Sequence, residues 1–160
     1  MGLITEFDPW KSKICTCPKK YSLSAYTGCS HGCLYCYASS YIRNFDKPRP
    51  KVNFLKRLEK EIKKIPAGSA ITIANSSDPY QPQELKHQLT KKTLEILSEY
   101  PVKISLVTKS SLILEDIDII KKFKNLVVCI SITTLDEQLA EKLEPGAPSP
   151  ERRLKAVKYL

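Results

Sequence analysis

Three cysteines, Cys29, Cys33 and Cys36, lie close together in the segment 28–37, which reads GCSHGCLYCY. Thiolates are soft ligands that suit iron–sulfur clusters or zinc. A structural zinc site takes four protein ligands, and a standard four-iron cluster takes four cysteines. Three ligands at C-x3-C-x2-C spacing would therefore leave one iron of such a cluster open to a small molecule. Gly28 and Gly32 give the short loop the backbone freedom that wrapping a cluster requires.

The other cysteines and the two histidines carry no comparable pattern. Cys129 stands alone in an apolar run, and we interpret it as a small buried hydrophobe. Cys15 and Cys17 are either metal ligands or reactive surface thiols, because two ligands alone do not complete a site. His31 lies inside the cysteine segment, where shaping the loop is a commoner role than binding iron. His87 has no chemical context.

Predicted strands and helices alternate along the chain and must position the cysteine segment. We predict strands over 21–27, 70–75, 102–108 and 126–134, and helices over 52–65, 84–99, 115–124, 136–143 and from about 151 onwards. This alternation and the near-continuous apolar strands indicate βαβ units and a parallel sheet that is covered on both faces. The predicted fold class is α/β, a partial (β/α) TIM-like barrel of parallel strands that stops after about four βα units.

Polar residues at the carboxyl ends of the strands are candidate site residues, because parallel sheets bind ligands at that edge. They are Asn75, Ser77 and Asp78 after the second strand, Lys109 after the third, and Ser131 and Thr133 on the fourth. Alternatives stay open: Asp78 also suits a turn or helix cap, Lys109 a solvated loop and Ser131 a satisfied core hydroxyl. Tyr80 and Gln81 follow Asp78 in the same loop, with substrate contact as one option.

The cysteine spacing after the first strand, with an aromatic residue before the last cysteine, resembles the radical-SAM superfamily. The similarity extends to NSSDPYQP (75–82), LVTKSSLILEDIDII (106–120) and SITTLDEQLAEKLEPGAPSPERRL (131–154). Four motifs in this order resemble the branch related to spore photoproduct lyase, over roughly residues 24–160.

The resemblance implies that the three cysteines bind three irons of a [4Fe-4S] cluster and that the fourth iron binds S-adenosylmethionine. One electron from the cluster would cleave this cofactor to methionine and a 5′-deoxyadenosyl radical, which takes a hydrogen atom from the substrate. The methionine amino group is assigned to the loop after the second strand, the carboxylate to Lys109 and the ribose to the fourth strand. The implied cofactor contacts are Tyr35, Asn75, Ser77, Asp78, Lys109, Ser131 and Thr133.

Similar proteins continue for two further βα units, whereas this sequence ends at Leu160 inside a predicted helix. We divide the chain into an N-terminal extension, 1–20, and a radical-SAM core, 21–160. The fourth strand is expected to leave an open sheet edge that favours self-association. Turnover is expected to need a second chain that completes the sheet.

Charge and hydropathy bound the location and the partners. The net charge is +9, and residues 47–64 contain eight basic and two acidic side chains. We interpret this segment first as a solvated helix face and second as a phosphate-attracting surface for a nucleic acid. The sequence shows no signal peptide and no apolar run of membrane-spanning length, so we predict a cytoplasmic protein without membrane contact. A flavodoxin or ferredoxin is the expected electron donor.

Two classes of function follow. The first is a radical-SAM enzyme, lyase-like or other, whose substrate and catalytic residues the sequence does not name. The second is a non-catalytic iron–sulfur or zinc-binding module with a basic partner-binding face, or an inactive truncated radical-SAM fragment. The enzyme alone would release 5′-deoxyadenosine from S-adenosylmethionine under reducing conditions.

Overall fold

The computed structural model describes residues 2–7, 18–73 and 75–160. Their strands are β1 (Thr5–Phe7), β2 (Lys20–Leu23), β3 (Tyr26–Thr27), β4 (Arg49–Pro50), β5 (Ala70–Ile73), β6 (Lys103–Thr108) and β7 (Leu126–Ile130). The α-helices are α1 (Phe54–Ile62), α2 (Gln83–His87), α3 (Leu89–Leu97), α4 (Ile117–Ile120), α5 (Glu137–Leu143) and α6 (Pro150–Tyr159). Single 3₁₀ helices cover Tyr37–Ser40 and Ser111–Asp116.

The main sheet has the strand order β1-β2-β5-β6-β7, in which β2, β5, β6 and β7 run parallel. The α/β class and the parallel sheet predicted from the sequence are therefore confirmed. In the register, Ser22 lies opposite Thr72, and Thr72 lies opposite Ser105. The carboxyl ends of the parallel strands consequently meet at one edge of the sheet, which is the edge the cysteine segment reaches.

A continuous apolar core fixes the sheet against its helices. Ile71 and Leu106 on the sheet, Leu58 on α1, and Leu94 and Leu97 on α3 are completely buried. Each of these side chains contributes about 2 kcal/mol through the area it removes from water. The strand ends are thus held by a rigid scaffold.

The predicted first strand, 21–27, is two strands, β2 and β3, because the chain bends between them. The Ser24 hydroxyl donates a hydrogen bond of 3.0 Å to the carbonyl oxygen of Tyr26 within this bend. β3 then pairs with β4 in a separate two-stranded antiparallel sheet. β1, which lies inside the predicted N-terminal extension, pairs antiparallel with β2 and was not predicted.

Left-handed residues account for two wrong helix boundaries. The helix predicted over 84–99 is two helices, because Gln88 has φ of 49° and breaks the helix between α2 and α3. The helix predicted from residue 52 begins at Phe54, since Asn53 has φ of 51°, and Val52 is exposed. Within the predicted helix 115–124, the α-helical part is confined to α4.

The prediction that every strand is covered on both faces is wrong for β7, an edge strand whose exposure alternates along its length. Val127 is 61% exposed, and Cys129 is exposed rather than buried as predicted, because one face of this edge strand is uncovered. The predicted strand 126–134 also ends early, at Ile130. Cys15 and Cys17 lie outside the described residues. Among the described helices, none combines the length and the hydropathy needed to cross a membrane.

Candidate active site

A cavity of about 150 Å³ lies at the carboxyl ends of β5, β6 and β7. We call it the strand-end cavity. One side is formed by the cysteine loop, residues 28–36, including all three predicted metal ligands. The opposite side includes five of the residues predicted from strand ends, namely Asn75, Ser77, Asp78, Lys109 and Ser131. The parallel register therefore brings together residues that are more than 100 positions apart in the chain.

The three cysteines also line a second, larger cavity of about 720 Å³ between the cysteine loop and residues 39–46. We call it the loop cavity. All three are free thiols; Cys29 is buried, and Cys33 and Cys36 are half-buried. Burial raises the pKa of the Cys29 thiol to about 11. Burial also raises the pKa of Cys33, although the nearby Lys109 ammonium acts in the opposite direction. Metal binding would therefore displace protons from these thiols.

Gly28 and Gln81 shape the start of the cysteine loop. Gly28 has φ of 86°, and a Cβ atom there would lie 2.5 Å from the carbonyl oxygen of Phe45. The Cys29 amide donates a hydrogen bond of 2.8 Å to that same oxygen. The side chain of Gln81 is fully buried, where it accepts from the Ser30 amide at 3.1 Å and donates to the Gly28 carbonyl at 3.2 Å. Gln81, considered above as a substrate contact, therefore holds the loop.

Residues 143–146, which we call the clamp segment, contact the cysteine loop. The Leu34 amide donates to the Leu143 carbonyl at 2.9 Å, and the Gly146 amide donates to the His31 carbonyl at 2.8 Å. A Cβ atom on Gly146 would lie 2.2 Å from the carbonyl oxygen of Ser30. Glycine is therefore required at this position because any larger residue would clash with the cysteine loop, and not because of an unusual backbone φ angle.

The donor set of the loop fits an iron–sulfur cluster. Within residues 2–7, 18–73 and 75–160, no three His, Cys, Asp or Glu side chains converge as ligands of a single metal ion. A four-iron cluster makes a different demand, because each thiolate binds a separate iron. Ser30 Oγ is buried and finds no hydrogen-bond partner in the described part of the chain. Three soft thiolate donors in one short loop suit such a cluster, and Ser30, the residue after Cys29, keeps a hydroxyl that no described protein group occupies.

Asp78 ties the loop after β5 to the end of β6. Its carboxylate accepts hydrogen bonds from Thr108 Oγ1 at 2.6 Å, the Lys109 amide at 2.7 Å and the Tyr80 amide at 2.9 Å. His31 Nδ1 lies 3.5 Å from the same carboxylate. Burial lowers the pKa of His31, while the charge of Asp78 opposes that effect. Asp78 thus positions both Lys109 and the cysteine loop.

Asn75 and Ser77 connect the strand-end cavity to the first strands. Ser77 Oγ is buried, 2.9 Å from Ser24 Oγ, and donates to the Tyr26 carbonyl at 3.2 Å. Asn75 Nδ2 donates to Ser22 Oγ at 2.6 Å. Both residues line the cavity while their side chains bond to the protein.

Lys109, Thr133 and Tyr35 gather around Glu144, a residue that the sequence analysis missed. Lys109 Nζ lies 3.8 Å from Glu144 Oε1 and 5.6 Å from the centroid of the Tyr35 ring. Thr133 Oγ1 donates to Glu144 Oε1 at 2.6 Å and lies 3.3 Å from the Tyr35 hydroxyl, which also donates to Glu144. Ser131, by contrast, lines the cavity itself. Glu144 follows the predicted helix 136–143 directly, and two of its partners, Tyr35 and Lys109, come from distant segments, so no local pattern marks it.

Comparison with known proteins supplies a family. A family model described as the radical SAM superfamily matches residues 23–160. An uncharacterised protein of Methanocaldococcus jannaschii is 34% identical over 143 residues, which cover 88% of this chain and 55% of that protein. An uncharacterised protein of Mycobacterium tuberculosis is 29% identical over 154 residues, which cover 88% of this chain and 45% of that protein. The chain thus spans about half the length of these curated relatives.

Two solved structures have a similar fold. Spore photoproduct lyase complexed with dinucleoside spore photoproduct superposes with a TM-score of 0.69 at 25% identity, over 87% of this chain and 41% of the lyase. A mutant of that lyase with bound AdoMet and the dinucleoside superposes equally well, with a TM-score of 0.69, the same identity and the same coverage.

Proposed function

The chain belongs to the radical SAM superfamily, and from that premise we propose that it holds a [4Fe-4S] cluster on Cys29, Cys33 and Cys36 and binds S-adenosylmethionine. The observation that supports this most is the strand-end cavity, because all three thiols of the motif share it with the strand-end residues. When bound, the cluster and S-adenosylmethionine supply a 5′-deoxyadenosyl radical that abstracts hydrogen from a substrate. With this chemistry the protein would be a radical SAM enzyme.

The protein's own residues would bind and orient the cofactor. Lys109 offers a cation to the methionine carboxylate, the loop carrying Asn75 offers oxygen acceptors to the amino group, and Ser131 offers a hydroxyl to the ribose. The other predicted contact residues would support the cofactor indirectly. Ser77 and Asp78 fix the loop that carries Asn75, and Tyr35 and Thr133 hold Glu144 beside Lys109.

Replacing Lys109 with methionine is expected to weaken S-adenosylmethionine binding about 10- to 100-fold, because a charge-assisted contact contributes about 1.5–3 kcal/mol. The apolar stem is kept, so cluster content should not change. The measurement is a titration of the reduced cluster's electron paramagnetic resonance (EPR) signal with S-adenosylmethionine. Lys92→Met, at an exposed position on α3, is the control. Equal affinity in both variants would exclude Lys109 from the cofactor site.

For the substrate, we propose a nucleic-acid strand that binds across an aromatic and basic rim beside the cysteine loop. Tyr37 and Tyr41 are exposed, with ring centroids 6.0 Å apart and ring planes at 33°. Tyr37 lines the strand-end cavity and Tyr41 lines the loop cavity. The Arg49 guanidinium donates to the backbone carbonyl oxygens of Arg43 and Lys47 at 3.4 and 3.5 Å. All three basic residues are exposed, and Arg43 lines the loop cavity.

Aromatic side chains on which bases stack, together with cations that track phosphates, are the usual means of binding single-stranded nucleic acid. The structurally similar lyase is known in complex with a dinucleoside, which supports a substrate of the same class here. The excess of basic over acidic residues, a net charge of +9, favours a polyanion over a neutral substrate.

Tyr37→Ala and Tyr41→Ala are each expected to weaken binding of a labelled single-stranded oligonucleotide about tenfold or more, since stacking contributes about 1–3 kcal/mol per base. Fluorescence anisotropy at several salt concentrations is the measurement, and the affinity should fall as salt rises. Tyr159→Ala, at an exposed tyrosine on α6, is the matched control. Wild-type affinity in both Tyr37→Ala and Tyr41→Ala, or an equal loss in Tyr159→Ala, would contradict stacking of bases on this rim.

A further inference from the structure

A buried ion pair joins Glu144 of the clamp segment to Arg153 of α6. Arg153 Nη1 lies 2.5 Å from Glu144 Oε2, and the side chains are 1% and 0% exposed. Arg153 also donates to the Pro148 carbonyl at 2.7 Å and to the Ser131 carbonyl at 3.2 Å. A buried pair of this kind contributes little net stability, but removing one partner leaves the other charge buried and uncompensated.

The two oxygens of Glu144 have different partners. Oε2 accepts from Arg153, whereas Oε1 accepts from Thr133 and Tyr35. The Lys109 ammonium lies 3.8 Å from Oε1, beyond hydrogen-bond distance, and its side chain is 21% exposed and lines the strand-end cavity. Two cations therefore share one carboxylate, and the closer cation is Arg153.

We propose that Arg153 is a positioning residue that neutralises Glu144, so that the charge of Lys109 stays available to an anionic group of the ligand in the strand-end cavity. In naming that group as the methionine carboxylate of S-adenosylmethionine, the inference rests on the proposed function. Without Arg153, the buried Glu144 carboxylate would draw Lys109 into a closer pair and withdraw it from the cavity. Arg153 acts through this charge balance and touches no reacting atom.

The test is a charge-compensation series with the variants Arg153→Gln, Glu144→Gln and the double variant. Arg153→Gln is expected to raise the dissociation constant for S-adenosylmethionine about tenfold, a shift of about 1.4 kcal/mol. The double variant removes the competing carboxylate and keeps an amide oxygen that accepts from Tyr35 and Thr133. It should restore the dissociation constant to within about threefold of the wild-type value, because the two effects are coupled.

A second readout does not depend on S-adenosylmethionine. The rate of acylation of Lys109 is followed by mass spectrometry on the protein as purified, with Lys92 in the same digest as reference. Lys109 of Arg153→Gln should react several times more slowly than in the wild type, because a paired ammonium is protected, and the double variant should react normally. Circular dichroism confirms that each variant is folded.

Each outcome bears on the inference. Unchanged Lys109 acylation in Arg153→Gln would overturn it, and so would a defect that Glu144→Gln does not repair, because a general structural role predicts no rescue. Slower acylation that the second substitution reverses would support it. If this reversal occurs while the wild-type protein gives no response to S-adenosylmethionine, the positioning role stands and the proposed function fails.

Discussion

Cys33→Ala is expected to leave the protein with less than about a tenth of the wild-type cluster content after anaerobic reconstitution. The proposed cubane has three thiolate ligands rather than four, and this variant would remove one of them; metal binding in proteins depends steeply on the ligand count. Iron and sulfide analysis, together with EPR of the dithionite-reduced protein, measures the effect. Formation of 5′-deoxyadenosine should fall by at least about 100-fold, because transfer of the electron needs the cluster.

Cys129→Ala is the matched control for this variant. It removes a free thiol that is exposed on β7 and that lines neither the strand-end cavity nor the loop cavity. Full cluster content is expected in this control. If Cys33→Ala kept wild-type iron and sulfide while Cys129→Ala lost them, the assignment of ligands would be wrong.

The second large effect is expected from Gly146→Ala, which adds one methyl group between the clamp segment and the cysteine loop. The new Cβ would lie 2.2 Å from the carbonyl oxygen of Ser30 and 3.0 Å from Cα of His31. Backbone atoms cannot rotate away as a side chain would, so one segment must shift. We expect a loss of about 3 kcal/mol in the free energy of unfolding and a cluster content reduced at least about threefold. Urea unfolding and iron analysis measure the two effects.

Gly68→Ala separates the local effect from the general cost of replacing glycine. Gly68 has φ of 78°, and a Cβ atom there meets nothing within 4 Å. This control should lose about 1 kcal/mol through backbone strain alone and keep its full cluster content. A Gly146→Ala protein with wild-type stability and cluster content would show that the clamp segment does not hold the cysteine loop.

The grouping of the candidate site residues was predictable because it rests on residue types and on one topological rule. Cys29, Cys33 and Cys36 are recognisable from their spacing, and parallel strands bring their carboxyl ends to one edge whatever their separation in the chain. That rule places Lys109 and Ser131 beside the cysteine loop without knowledge of any contact.

The residues that hold the site in place were not predictable in the same way. Gln81 brackets the cysteine loop, and Glu144 gathers Lys109, Tyr35 and Thr133, yet each role exists only through partners from distant segments. Arg153 occupies a helix that reads as mostly polar, and its complete burial follows from the ion pair with Glu144. Single-residue conformations, such as the left-handed Gln88 between α2 and α3, likewise leave no periodic signal.

If a cluster on Cys29, Cys33 and Cys36 binds S-adenosylmethionine directly, the cofactor must change the electronic state of that cluster. EPR of the reconstituted, dithionite-reduced protein before and after adding S-adenosylmethionine measures this change. We expect a reduced-cluster signal whose g-values change on addition, with 5′-deoxyadenosine detectable in the same sample. A protein that takes up zinc in place of iron, or a cluster signal that S-adenosylmethionine leaves unchanged, would contradict it.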